Sequence, residues 1–122
     1  MKVLLSIKPE FADKIFDGKK KFEFRRAIFK RNDIKTVVVY ASSPVQKVIG
    51  EFEIESIIKG NLVELWETTK AYAGIDEQYF YKYFADRNSG FAIKIKQAKK
   101  YKLPLSLKEN FNVVPPQSFV YL

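Results

Sequence analysis

The chain has 122 residues, 47% hydrophobic and 16% aromatic, enough apolar material for a single cored domain over 1–122 and too much for disorder. Its net charge of +8 favours an acidic partner such as nucleic acid. It has neither cysteine nor histidine, which excludes disulfide frameworks, thiol nucleophiles, serine–histidine hydrolases and ordinary zinc centres; no cofactor is expected.

KVLLSI, Lys2 to Ile7, is short and rich in branched apolar residues, as a buried strand is. This stretch reads as a first strand and not as a signal peptide. No apolar run approaches the roughly 20 residues of a membrane span, so a cytoplasmic protein with no membrane partner is expected. Pro9 opens a helix in which Phe11, Ala12, Ile15 and Phe16 recur at helical spacing, and Gly18 stops it. KKFEFRR follows as a strand, with Phe22 and Phe24 on one face and Lys21, Glu23 and Arg25 on the other. TVVVYAS, Thr36 to Ser42, is a further strand, broken at Ser43-Pro44. QKVIGEFEIESIIKG is the next, and Gly50 inside it marks a bulge or a close backbone approach.

Asn61 with Glu64 forms a capping pair for a helix whose face is Leu62, Leu65, Trp66 and Thr69, ending near Gly74. Asp76 caps a short helix carrying Tyr79, Phe80, Tyr83 and Phe84. Asn88-Ser89-Gly90 reads as a turn, and FAIKIKQAKKY as a strand with Phe91, Ile93 and Ile95 inward and Lys94 and Lys96 outward. Beyond Pro104 the pattern is irregular, Pro115-Pro116 makes a rigid bend, and QSFVYL closes as a strand. Short strands without regular β-α alternation predict an α+β domain: a small, mostly antiparallel barrel with short helices at its edges.

From Lys19 to Arg31 there are seven basic residues and one acid, a net of +6. A second basic strand, Lys94 to Lys102, holds five lysines, and the two form one patch if the barrel brings them together. Glu23 is the informative residue, because a plain phosphate-binding strip gains nothing from a carboxylate. It has two uses: pairing with Arg25 to orient the guanidinium, or accepting hydrogen bonds from a base edge. Strict alternation puts Lys20 on the Phe22 and Phe24 face, away from Glu23 and Arg25, unless the turn permitted by Gly18 reorients it. Ser42 and Ser43, where the barrel opens, are candidates for a phosphate or base, or simply a Ser-Pro turn. Tyr72 and Tyr81 lie off the apolar stripes and are the exposed candidates for stacking on a base, whereas Trp66 reads as core. Gln117 and Ser118 follow the Pro-Pro bend, and spacing alone does not place them.

Gly18, Lys20, Glu23 and Arg25 fit G-x-K-x-x-E-x-R, and this segment resembles the signature of the ASCH domain family, part of the PUA-like superfamily. SIKPEFADKIFDG resembles the helix before the motif, YASSPVQKVIGEFEI the following strand pair, and PPQSFVYL the ending of a bacterial, archaeal and phage subgroup. The resemblance covers essentially the whole chain. It implies a PUA-like β-barrel that binds RNA, another nucleic acid or a modified nucleotide in a cleft beside the motif. Lys20, Glu23, Arg25, Ser42 and Ser43 would line that cleft, with Lys19, Lys21, Arg26, Lys94, Lys96, Tyr72 and Tyr81 around it for the strand. The alternative it implies is a hydrolase of an acylated nucleoside or of RNA, with Lys20 and Glu23 catalytic. In the amidohydrolase branch a threonine stands where Glu23 stands here. The branch's further glutamate would fall near Ala73 to Glu77, and the alignment assigns neither carboxylate of that stretch to its place.

Overall fold

A computed structural model describes residues 1–122. Six strands are present: β1 (Lys2–Ile7), β2 (Phe22–Arg25), β3 (Thr36–Ala41), β4 (Lys47–Asn61), β5 (Ser89–Leu105) and β6 (Phe119–Tyr121). Four helices accompany them: α1 (Pro9–Phe16), α2 (Leu62–Thr69), α3 (Glu77–Tyr83) and α4 (Leu107–Phe111). A 3-10 turn, Lys70–Tyr72, continues α2. The strands form one sheet in the order β2-β5-β4-β3-β1-β6. Only β1 and β3 run parallel; the other pairs are antiparallel. The expected α+β class and mostly antiparallel sheet are found, as a half-barrel whose two edges are β2 and β6.

The parallel pair explains the unbroken apolar runs of β1 and β3, since both of its faces are covered. Val3, Leu5, Val37 and Val39 point into the half-barrel with Ala12 and Ile15 of α1. Leu4, Val38 and Tyr40 point outward, where Leu107 of α4 covers them. Helix α4 lies in the segment read from sequence as irregular. Its cap was legible in S-x-x-E: Ser106 Oγ accepts from the Glu109 amide at 3.2 Å, and Asn112 ends the helix with φ of 54°.

A second core sits beyond β2. Phe22 and Phe24 alternate to one face, as predicted, and meet Trp66 of α2 with Phe80 and Phe84 beside them. Phe24 and Phe80 pack edge to face, centroids 5.2 Å apart. Complete burial of Phe80 contributes about 1.5–3 kcal/mol. The caps proposed for α2 and α3 form, with Asn61 accepting from the Glu64 amide at 2.9 Å and Asp76 from the Tyr79 amide at 2.7 Å.

Both ends of β2 and both ends of β5 differ from the sequence reading. Strand β2 begins at Phe22, so Lys20 and Lys21 precede it, and Arg26 lies beyond its end. Strand β5 begins at Ser89, because the turn falls earlier, at Asp86 with φ of 68°. It also runs on through Pro104 to Leu105. At Gly50 the register of β4 shifts against β5, and a Cβ there would lie 2.6 Å from the Lys99 carbonyl, so both expectations for this glycine are met.

Candidate functional site

Helix α1 stops at Gly18, whose φ of +80° turns the chain back on itself. The amides of Lys19 and Lys20 both return to the Lys14 carbonyl, which swings Lys20 out of strand alternation. Its side chain is buried, and its Nζ donates to the Ala73 carbonyl at 2.7 Å. The ammonium lies 4.8 Å from the Phe24 ring centroid and 5.5 Å from that of Phe11. Gly74, with φ of +71°, lies so close to the Lys20 stem that a Cβ would come within 2.5 Å of its Cγ. Burial pushes the Lys20 amine down to about 8; Glu23 opposes the shift and Lys14 adds to it.

Glu23 and Arg25 face the opposite side of β2 from the phenylalanines. Arg25 Nη1 donates to Glu23 Oε2 at 3.2 Å, and both side chains are about nine-tenths buried. The same guanidinium reaches across the open seam of the half-barrel. Nη2 donates to the Ser118 carbonyl at 2.8 Å, just before β6, and Nη1 makes a longer 3.4 Å contact with the Ser6 carbonyl of β1. Arg25 therefore fastens one sheet edge to the other. Ser6 Oγ helps by donating to the Pro116 carbonyl at 2.9 Å. Glu23 Oε1 has no protein donor and is not sealed from solvent.

Lys20, Glu23 and Arg25 converge on one cleft of about 460 Å³. Phe11, Tyr79 and Tyr83 wall it, and Lys8, Arg26 and Arg87 stand around it. Tyr79 packs against the edge of Phe11 at 5.2 Å, with Lys8 Nζ 5.4 Å from its centroid. Arg26 lies over Tyr83 at 4.9 Å, and burial pushes the Tyr83 phenol up. The ring hydroxyl of Tyr83 donates to the Phe24 carbonyl at 3.1 Å. Gln117 and Ser118 complete the lining.

Other candidates fall elsewhere. Ser42 and Ser43 are not in the cleft: the Ser42 amide donates to the Ile7 carbonyl, its own carbonyl closes the turn with Val45, and Ser43 points to solvent. Tyr81 packs edge-on to Phe80 at 5.1 Å, outside the cleft, so the tyrosines that reach it are Tyr79 and Tyr83. Helical spacing put those two on one face, but nothing in it said that the face meets Glu23. The segment Ala73 to Glu77 supplies a carbonyl to Lys20 and the Ile75 side chain, and no carboxylate. The two basic strands do come together, since Phe22 pairs with Lys94. Lys21, Lys94 and Lys96 line a separate groove with Tyr72, whereas Lys99 and Lys100 lie farther along β5 opposite Glu51 and Gly50. Lys19 is exposed beside Lys20.

The profile of the ASCH domain matches residues 5–110. The chain belongs to the ASCH domain family. This ASCH domain is 32% identical over 123 residues to an ASCH domain-containing ribonuclease of Zymomonas mobilis, covering 98% of this chain and 82% of that protein. The crystal structure of ASCH from Zymomonas mobilis superposes with a TM-score of 0.91 at 34% identity, over 99% of this chain and 87% of that one. The large ribosomal subunit protein uL22 of Ureaplasma parvum is 29% identical over 120 residues, and this ASCH domain spans only 39% of its length. The N-terminal domain of McrB from Staphylothermus marinus shares the fold alone, with a TM-score of 0.58 at 13% identity. No helix of the chain is long and apolar enough to cross a membrane.

Proposed function

We propose that residues 1–122 act as one RNA-binding ASCH domain whose cleft holds a single unstacked base. The observation that carries this is the Glu23–Arg25 pair: a buried carboxylate, oriented by a guanidinium, with one oxygen left open to a cleft that has aromatic walls. Such an oxygen accepts from the exocyclic amino group of cytosine or adenine, a donor that uracil lacks. Tyr79 and Phe11 offer ring surface to the base, while Lys8, Arg26 and Arg87 suit its phosphates. The ribonuclease relative and the net charge of +8 both support an RNA ligand.

The test is RNA binding measured over a salt series with oligonucleotides differing at one base. Wild type should bind with affinity that falls as salt rises. It should prefer cytosine over uracil, and Glu23→Gln should reduce that preference by about 10-fold, the scale of one good base contact. Absence of RNA binding at any salt, or an unchanged base preference in Glu23→Gln, would refute the reading.

A second reading, hydrolysis of the bound RNA, is favoured by Lys20. An amine held at about 8 is partly neutral near physiological pH and serves as a general base. Turnover would rise with pH towards 8, level off above it, and vanish in Lys20→Met. RNA cleavage that survives Lys20→Met removes this reading and leaves the binding role.

A further inference from the structure

A second groove, about 680 Å³, shares Lys20 with the cleft. Lys20 lines both spaces, so the two adjoin at that side chain. We propose that this groove holds nucleotides adjoining the one whose base enters the cleft, so that the ligand is an RNA strand and not a free nucleoside; this rests on the RNA reading above.

Three observations carry it. Tyr72 is half exposed in the groove, so its ring is available as a platform. Lys21 Nζ stands 4.4 Å from that ring's centroid and makes no ion pair. A cation over one face of a half-exposed ring leaves the rest of the ring for a base and places an ammonium near its phosphate, the combination that single-strand sites use. Lys96 adds a second unpaired ammonium, while Lys94 is neutralised by Glu55 at 2.9 Å. The groove thus offers two ammonium groups for phosphates and one stacking face, and it exceeds the cleft in volume. A nucleoside bound in the cleft alone would touch none of these groups.

The groove makes affinity depend on RNA length. Fluorescence anisotropy with labelled octanucleotides, and competition by cytidine monophosphate, would compare wild type with Tyr72→Ala and with the double variant Lys21→Ala, Lys96→Ala. All three positions are exposed, and circular dichroism would verify the fold. Tyr72→Ala should weaken the octanucleotide by about 5- to 150-fold, the effect of removing one stacked base. It should leave cytidine monophosphate unchanged. The double lysine variant should reduce the salt slope by about 0.7 for each phosphate that it no longer neutralises. Octanucleotide affinity unaffected by Tyr72→Ala, or monophosphate binding falling in parallel with it, overturns the proposal. If Glu23→Gln leaves base preference intact while Tyr72→Ala still weakens the octanucleotide, the cleft reading falls and the groove stands as an RNA site.

Discussion

Lys20→Met separates what this lysine does for the site from what it does to the fold. Unfolded, the amine keeps its proton up to about pH 10.5; folded, it loses it near 8. Between these values the unfolded chain binds more protons, so raising the pH stabilises the native state. Below pH 8 the penalty is fully present, and the difference in pKa corresponds to roughly 3 kcal/mol. Methionine keeps the stem that packs on Gly74 and removes the charge. Against that gain, the Ala73 carbonyl is left without its donor at a cost of about 1–3 kcal/mol, and no cation faces the two rings. At pH 7 the variant should therefore be as stable as wild type or up to about 2 kcal/mol more stable. By pH 10 the order should reverse, because wild type has by then shed most of its penalty. Urea unfolding of both proteins at pH 7, 8.5 and 10 measures the difference directly. Parallel stability curves across that range would refute the argument, since they would mean that the amine titrates no differently in the native state.

Two further substitutions probe the same walls. Arg25→Ala should cost about 3–5 kcal/mol in urea unfolding, because Glu23 is left as a buried charge without its partner and the seam at Ser118 loses its donor; a change below 1 kcal/mol would show that the clasp contributes little. Gly74→Ala strains a residue at φ of +71° and drives a methyl into the Lys20 stem. It should lower stability by more than about 1 kcal/mol in urea unfolding, and an unchanged midpoint would show that the Lys20 stem gives way to the methyl at no cost.

Much of the fold was written in local patterns: the apolar runs of β1 and β3, the Asn61 and Asp76 caps, and the alternation that puts Phe22 and Phe24 on one face. Helix α4 was equally legible in Ser106 and Glu109, but Pro104 just before it suggested irregular chain. The site was legible only in part. Glu23 beside Arg25 could be foreseen because two residues on one strand face are neighbours. The other partners of Arg25 could not, because the carbonyls of Ser6 and Ser118 are 19 and 93 residues away in sequence. Tyr72 and Tyr81 were distinguished from Tyr79 and Tyr83 by helical periodicity, which reports which residues share a face. It does not report that the face bearing Tyr79 and Tyr83 closes over a cleft. Lys20 escaped alternation because its conformation is set by the turn after α1, before β2 begins.

The clasp at Arg25 has a consequence for the order in which the molecule is made. Gln117 and Ser118 follow every other lining residue in the chain, so during synthesis the cleft stays unfinished until that segment emerges and docks. Up to that moment the half-barrel has its carboxylate and its lysine but lacks one wall and the carbonyl that steadies the guanidinium. A chain cut before Pro115 would retain every residue from Lys20 to Arg25 and still lack a finished cleft. Competence to grip a ligand is thereby deferred until the far end of the domain has been built.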